Sequence, residues 1–509
     1  MAPLTLGIDV GTTTAKAVLA DVDGKLLSEH TAGYTYAKPR PGWAEQDPQD
    51  WWQAVCGATR EIVKQYPRAK DQIAGLGISG QGVAAVLLDG QGRLLRPAIL
   101  WLDCRSAAQA DEIQLRSGER IAAISGKNPA PYNVEPKLLW VKQNEPEIWR
   151  RVWKTLTTTA YITYRLTGRV VMNHSDGGIF LGYDLARREW SPEATELLGI
   201  PASVYCELAP CHDVIGAVTE KAAEETGLRQ GTPVIAGGED TSAAGLAMGV
   251  TSSEAAQLSM GSASTVYVPL ANAAIDPRLL AFPHVIDGLT LVGGSMVAGG
   301  NAMDWIAGVI SESNGDNPSS RIQTLTQEAT RVPAGSDGLI FLPYLAGELQ
   351  PINNGFARGV FFGLDLSKTR GHLIRAVMEG TAFAIEHNLS ITQELGAEVR
   401  TLIGVGGPTR NRLWCQIIAD VTGIPVQVMQ ERGGAALGDA ILAALGAGLI
   451  ESPETMQQRH AVAGERFEPD SCRRQVYQEA FCIYKDLYPK VKELFPRLAN
   501  LTRYEEEAV

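Results

Sequence analysis

Four short segments of this chain carry residues whose types and spacing suit phosphate and a hydroxyl nucleophile. The first is Asp9-Val10-Gly11-Thr12-Thr13-Thr14-Ala15-Lys16. Glycine lets backbone approach a phosphate closely, and the amides and hydroxyls of Gly11, Thr12 and Thr13 can donate to its oxygens. Lys16 adds a compact positive charge. Asp9 closes an apolar run and offers the oxygen ligand that Mg²⁺ prefers, directly or through water. A tight turn with a capping aspartate accounts for the same residues without any phosphate.

The second segment, Ala236-Gly237-Gly238-Glu239-Asp240-Thr241-Ser242, places an acid in a glycine-flanked turn before a run of small residues. Asp240 there is either a helix N-cap or a base that accepts the proton of an attacking hydroxyl. Phosphoryl transfer requires such a group together with a metal and in-line positioning. The third, Met260-Gly261-Ser262-Ala263-Ser264-Thr265, mirrors the first, so Gly261 and Ser262 can hold a phosphate from the other side. The fourth, Gly404-Val405-Gly406-Gly407-Pro408-Thr409-Arg410-Asn411, sets a glycine turn before a helix. Gly407 would let a nucleoside lie against bare backbone, and Asn411 would bond to it. Each segment is weak alone. In this order they describe two phosphate cradles, a base and a nucleoside shelf around one cleft.

The elements that must position these segments are readable from periodicity. Leu4 to Val10 reads as a buried strand and Ala17 to Ala20 as its partner; Asp23-Gly24 marks a hairpin, with a return strand from Lys25. A dinucleotide or P-loop unit would pass from its glycine turn into a helix, and this turn passes into a hairpin instead. Pro48 to Gln65 predicts a helix with Trp51, Val55, Ala58 and Ile62 on one face. Ile73–Ile78 and Ala84–Leu88 predict strands. Ala256–Met260 and Thr265–Val268 repeat the strand, turn, strand plan of the N-terminus, which implies a duplicated architecture. Leu402–Val405 predicts a strand leading through Gly406-Gly407 to a helix that Gly423 caps. A hinge is expected near 245–255.

Composition bounds the rest. The chain has 509 residues, 45% apolar and 20% charged, enough for two or three packed cores. Its net charge of −12 leaves no electrostatic footprint for nucleic acid or an anionic membrane. No apolar stretch approaches the ~20 residues of a membrane helix, and Met1-Ala2-Pro3-Leu4 runs directly into a strand rather than a signal peptide. The seven cysteines form no CxxC pair. Reduced thiols in a soluble cytoplasmic protein are the expectation, in preference to a zinc at Cys206, Cys211 and His212.

These residues resemble the FGGY carbohydrate kinase family, within the actin, hexokinase and sugar-kinase fold group, over about Leu4 to Gly448. The most specific part is Gly359-Val360-Phe361-Phe362-Gly363-Leu364 followed by His372-Leu373 and Ala376-Val377-Met378-Glu379, which looks like the C-terminal signature. Tyr132 to Asn144, with Lys137, Leu138 and Trp140, is similar to the N-terminal signature, with Val134 where a small residue or proline is usual. Gly406-Gly407 with Asn411, Gln416 and Asp420 resembles the adenosine motif. The resemblance implies an α/β chain of two ribonuclease-H-like domains closing on a sugar. It implies ATP as donor, Mg²⁺ organised from Asp9, Asp240 as general base, phosphate loops at Gly11, Thr12, Thr13, Lys16 and at Gly261, Ser262, and an ADP shelf at Gly407 and Asn411. The expected domains are 1–247, carrying the sugar site, and 248–509, carrying the nucleotide site and a helical extension from about 450 with Phe481, Ile483, Leu487 and Leu494 as apolar contacts. Dimers are common in such kinases, so a homodimer is compatible.

Within the family, Pro41-Gly42-Trp43-Ala44-Glu45-Gln46-Asp47, Trp101-Leu102-Asp103-Cys104-Arg105 and Pro343-Tyr344-Leu345-Ala346-Gly347-Glu348 most resemble the xylulokinase branch. That branch carries Met-His after Ser79-Gly80-Gln81, and this chain has Gly82-Val83. Gln81, Gly82, Val83, Trp101 and Asp103 are therefore the expected sugar contacts, with Arg105 orienting Asp103. Trp43 and Trp101 are the stacking candidates, and Trp51 and Trp140 read as core anchors. A ketopentose such as D-xylulose is expected. Another ketose, a polyol or a sugar acid are the alternatives, since a lost hydrogen-bonding group can redirect specificity. A non-catalytic regulator would lack Asp9 or Asp240, and a chaperone-type ATPase would carry a polar C-terminal domain; neither pattern is present.

Overall fold

A computed structural model describes residues 2–271, 274–310, 318–429, 433–453 and 463–506, with backbone alone for 318–321, 463, 500 and 502–506. Leu4–Val10 (β1) is buried along its length apart from half-buried Asp9, because both faces of the sheet it centres are covered. It pairs antiparallel with Thr14–Asp21 (β2), which pairs antiparallel with Leu26–Gly33 (β3). On its other side it runs parallel to Ile73–Gly80 (β4). Pro233–Ile235 (β6) is parallel to β4, and Val214–Ala217 (β5) closes the edge antiparallel. The order is β5-β6-β4-β1-β2-β3.

The second sheet repeats this plan. Ala255–Met260 (β7), Ser264–Ala271 (β8) and Leu289–Met296 (β10) form the antiparallel trio, and Thr401–Val405 (β11) and Val426–Met429 (β12) lie parallel on the other side of β7. Leu280–Pro283 (β9) and Ala463–Phe467 (β13) are added at the two edges. Two sheets of this topology are the ribonuclease-H-like duplication that the sequence implied.

Helices follow the sequence reading. Pro48–Gln65 (α1) starts at Asp47, whose carboxylate accepts from the Gln49 amide at 2.9 Å, and buries Trp51, Val55, Ala58 and Ile62. Past Gly406 the chain makes a short 3₁₀ turn at Gly407–Arg410 before the helix Arg412–Thr422, which Gly423 ends in the left-handed conformation at φ +67°. The C-terminal helix Ser471–Val491 buries Phe481 and Leu487, whereas Ile483 and Leu494 face outward. Residues 454–462 of the expected extension lie outside the described residues. Cys206 and Cys211 are buried free thiols, and no metal-binding group of side chains occurs among the described residues. Among those residues no helix is long and apolar enough to cross a membrane.

The two halves are joined by a feature the sequence reading did not contain. Ala435–Gly446 is a helix of the second half that lies on β1 and β4 of the first sheet. Its backbone comes so close that a Cβ on Gly7 would sit 1.8 Å from the Ala436 carbonyl oxygen, and one on Gly77 2.1 Å from that of Asp439. The same helix crosses Asp240–Ala247, where a Cβ on Gly438 would lie 1.9 Å from the Ala243 oxygen. Ile441, Leu442, Ala443 and Ala444 complete a small core with Cys211, Ile235, Leu246 and Val285.

Such a seat has no room for a methyl group and no flexible side chain that could yield. Gly77→Ala or Gly438→Ala should therefore lower stability by about 1–3 kcal/mol in chemical denaturation. Gly57→Ala, with nothing within 4 Å of its Cβ position in α1, should be neutral or slightly stabilising.

Candidate active site

The site is built where the two sheets and the crossing helices meet. β1 ends at Asp9, and the turn to β2 is held by the Gly11 amide donating to the Thr14 oxygen at 2.9 Å. The Tyr34 hydroxyl donates to Gly11 O at 2.5 Å, and Gln46 Nε2 donates to Thr12 O at 2.8 Å. These contacts fix the loop backbone and leave Thr13 and Thr14 exposed. Lys16 pairs in register with Asp9 across β1 and β2.

Asp9 is pushed up to about 7, first by burial and then by the Asp240 carboxylate, against the stabilising Ser79 hydroxyl and Lys16. Ser79 Oγ lies 3.2 Å from Asp9 Oδ1 and 2.6 Å from Oδ2 of Asp439, which the crossing helix delivers. Glu239 takes the N-cap position of the helix Asp240–Ala247, accepting from the Ser242 amide at 3.0 Å. That answers the cap-or-base alternative locally: the capping acid is Glu239, and Asp240 is free of that duty. The Asp240 carboxyl is raised well above its ordinary range, by burial first and then by Glu239 beside it. Burial first, and then like charge nearby, raise the pKa values of Asp9, Glu239, Asp240 and Asp439, which fits a proton-accepting role at this site.

Asp240 opens into a cleft of ≈ 340 Å³, a volume suited to a small metabolite. Gln81, Gly82, Val83 and Trp101, the expected sugar contacts, share that cleft with it, as does Thr12 of the expected phosphate loop. Trp101 is 44% exposed, its indole N–H donating to Thr12 Oγ1 at 3.1 Å, so one ring face is free to lie against a ligand. Trp51 Nε1 and Gln81 Nε2 both donate to Gln46 Oε1, at 2.8 and 3.0 Å. The Gln81 amide is thereby fixed with a buried Oε1 that has no protein partner. Across the cleft, Asn133 accepts from the Ala130 amide at 2.8 Å and leaves a buried, unpartnered Nδ2. Buried polar atoms without partners are costly and rare. One acceptor and one donor lining the same cleft are what a polyhydroxylated ligand would satisfy.

A second cleft of ≈ 830 Å³ brings together Gly261, Ser262, Gly407 and Asn411. Gly406, at φ +102°, packs its backbone on Met260, and a Cβ there would lie 2.0 Å from the Met260 oxygen. Gly407 meets nothing within 4 Å of its Cβ position, so its backbone faces open space. Asn411 is committed differently from the expectation: it caps Arg412–Thr422 through the Trp414 amide at 3.2 Å and donates to Thr326 Oγ1 at 2.9 Å.

Asp103 corrects the sequence reading more fully. It is entirely buried away from the cleft, accepting from the Ala44 amide at 2.6 Å and from the Arg105 guanidinium at 2.7 and 2.9 Å. Arg105 in turn lies over the Trp43 ring at 3.7 Å, and Trp43 packs edge-on against Trp140. Trp43, Asp103 and Arg105 are thus a buried strut behind the sugar cleft. The sequence reading missed Asn133, Lys127, Tyr267, Phe282 and Ser295, which also line that cleft. Asn133 lay within a segment already singled out at Tyr132–Asn144, but its neighbours Phe282 and Ser295 come from plain strands of the second sheet.

The sequence model for the N-terminal domain of the FGGY family of carbohydrate kinases matches residues 4–247, and that for the C-terminal domain matches 256–447. The chain belongs to the FGGY family of carbohydrate kinases. As a member it transfers a phosphoryl group from ATP to a sugar hydroxyl, on the two-domain actin- and hexokinase-like fold described above. It is 31% identical to the xylulose kinase of Bacillus subtilis over 501 residues, 98% of this chain and 99% of that protein. The crystal structure of xylulose kinase from Rhodospirillum rubrum shares 33% identity with a TM-score of 0.92, covering 97% of this chain and 99% of that one. That of gluconate kinase from Lactobacillus acidophilus shares 25% identity with a TM-score of 0.92, covering 98% and 100%.

Two substitutions separate cleft from strut in this kinase. Gln81→Leu should raise the KM for sugar about 10–100-fold, and more than the KM for ATP, because it removes the unpartnered Oε1 in the cleft along with the bond to Gln46. Asp103→Ala should instead cost about 1–3 kcal/mol of stability, because buried Arg105 loses its two bonds to Asp103 and keeps only Glu45 as a partner, read as a fall in thermal midpoint.

Proposed function

We propose that the enzyme phosphorylates a ketopentose such as D-xylulose, with Asp240 as the general base. The observation that carries this is the shared cleft: a carboxylate with a raised pKa stands beside the buried, unpartnered Gln81 Oε1 and Asn133 Nδ2 and beside the Thr12 loop. Full-length similarity to xylulose kinases supports the choice of sugar. A sugar acid is the second reading, favoured by one feature. Lys127 lines the same cleft, and burial pushes its ammonium down to about 7, so a ligand carboxylate beside it would restore its charge.

The residues perform the transfer by positioning. The sugar's hydroxyls bond Gln81 and Asn133 while its apolar face lies on Trp101. Asp240 accepts the proton of the attacking hydroxyl as that oxygen bonds to the γ-phosphorus and the bond from phosphorus to the ADP oxygen breaks, releasing ADP. Donors of Thr12 and Thr13, in the turn that Gly11 closes, hold the phosphate from one side, the Gly261-Ser262 turn holds it from the other, and Lys16 offsets its charge. Gly407 and Asn411 border the nucleoside. Residues 1–247 supply most of the sugar side, with Tyr267, Phe282 and Ser295 added from the second half, and 248–509 supply the nucleotide side.

The donor set suits Mg²⁺. Asp9, raised by an adjacent carboxylate, gains from a cation, and one or two protein carboxylates with phosphate oxygens and waters are a usual Mg²⁺ environment. Mg²⁺ held from Asp9 would neutralise the β- and γ-phosphates of ATP. ATP as donor and free thiols throughout the described residues fit a cytoplasmic enzyme.

A coupled ADP-release assay over ketopentoses, polyols, other ketoses and sugar acids tests the substrate. Turnover on D-xylulose is expected, and turnover confined to gluconate-like acids would replace it with the second reading. Asp240→Asn should lower kcat by ~10²–10⁴ with ATP binding little changed; retained turnover would remove Asp240 from the base role. Because the base works ionised and its pKa is raised, kcat/KM for sugar should climb with pH along an acid limb lying above the ordinary carboxylate value near 4. That limb should be absent from the residual activity of Asp240→Asn.

A further inference from the structure

Among the described residues lining the sugar cleft, Val83 is the one non-glycine residue at positive φ, +50°. A β-branched side chain opposes that conformation, so something must hold it. The Val83 carbonyl accepts from Lys137 Nζ at 2.7 Å, and the same ammonium donates to the Tyr132 carbonyl at 2.7 Å. Tyr132 lines the same cleft, next to Asn133.

Neither folding nor charge pairing accounts for this lysine. It is fully buried, and it makes no ion pair among the described residues. It also sits in the first half of the helix Val134–Asn144, toward the end whose dipole favours anions rather than cations. Burial pushes its pKa down to about 7, outweighing the nearby Asp103 and Glu135 carboxylates. A group so costly to bury is committed to two main-chain oxygens, and both belong to residues that touch the ligand space.

We propose that Lys137 is a positioning residue for the sugar: by joining the Val83 and Tyr132 carbonyls it holds Val83 left-handed and ties the Gln81–Val83 segment to the segment that carries Asn133. Gln81 Oε1 and Asn133 Nδ2 are the unpartnered atoms of these two segments, so the tie sets how they are placed for a ligand's hydroxyls. The inference rests on the sugar-kinase reading of this cleft and concerns its specificity. Lys137 touches no reacting atom, and its removal acts through Val83 and Tyr132.

The test is a double-mutant cycle on the full chain, with sugar and ATP titrated separately. Lys137→Met should raise the KM for sugar at least tenfold and leave the KM for ATP within twofold. Lys137→Gln, which keeps a donor and serves if the methionine variant does not fold, should fall between it and wild type. Val83→Gly removes the steric opposition to positive φ. Added to Lys137→Met, it should recover at least threefold of the lost sugar affinity. A sugar KM within twofold of wild type in both Lys137 variants would overturn the proposal, as would equal rises for sugar and ATP or no recovery in the double mutant. A wild-type chain that phosphorylates no sugar of the panel would sink the substrate reading alone. A crystal structure of Lys137→Met with Val83 still at positive φ would sink this inference alone.

Discussion

Much of this molecule depends on backbone packed directly on backbone where the helix Ala435–Gly446 lies across β1 and β4. Gly7 and Gly77 have no side chain to hold the helix away, and Gly438 lets it cross Asp240–Ala247 at equally close range. Contacts of this kind leave no freedom for a domain to slide by an ångström, because no side chain can change rotamer to absorb the shift. The consequence is chemical. β1 ends in Asp9, the crossed helix begins with Asp240, and the crossing helix carries Asp439 to within 2.6 Å of Ser79. A structural joint and a cluster of acids are therefore one object.

That cluster explains why the site is built for cations and protons rather than for a broad basic attraction. The chain is acidic overall, with a net charge of −12, and binds a polyanionic donor regardless. Local devices take the place of a general field: turns that expose amides and hydroxyls, a lysine across the strand from Asp9, and carboxylates whose mutual repulsion a metal ion would relieve. Burial and crowding move Asp9 and Asp240 the same way, away from full ionisation. Such stored electrostatic cost is tolerated at functional sites because the bound substrates discharge it.

The sugar cleft follows a different principle. Two ordinary amides in it, Gln81 and Asn133, have surroundings that satisfy one half of each and leave the other without a partner. The supporting shell consists of buried polar groups: Gln46 behind Gln81, Lys137 behind Val83 and Tyr132, and the Asp103–Arg105 pair behind Trp43. Replacing Met-His with Gly82-Val83 changes the cleft surface, while the clamp on the backbone at that point comes from elsewhere in the chain.

The sequence by itself determined the strand–turn–strand plan of each half, the helix at Pro48–Gln65, and the short glycine- and hydroxyl-rich turns, because those depend on local propensity and on glycine at tight positions. It also pointed to Asp9, Asp240, Gly261, Ser262 and Gly407, since each lies in a segment whose composition is itself the signal. Tertiary structure decided everything that depends on where a side chain points. Asp103 turned inward to Arg105, Asn411 became a cap, and Glu239 took the capping duty that Asp240 could have had. Asn133 kept a buried Nδ2 without a partner in the cleft, and Lys137 joined main-chain oxygens encoded some fifty residues apart. Nothing local distinguishes a buried strut from a cleft residue, because the two differ only in what long-range packing places opposite them.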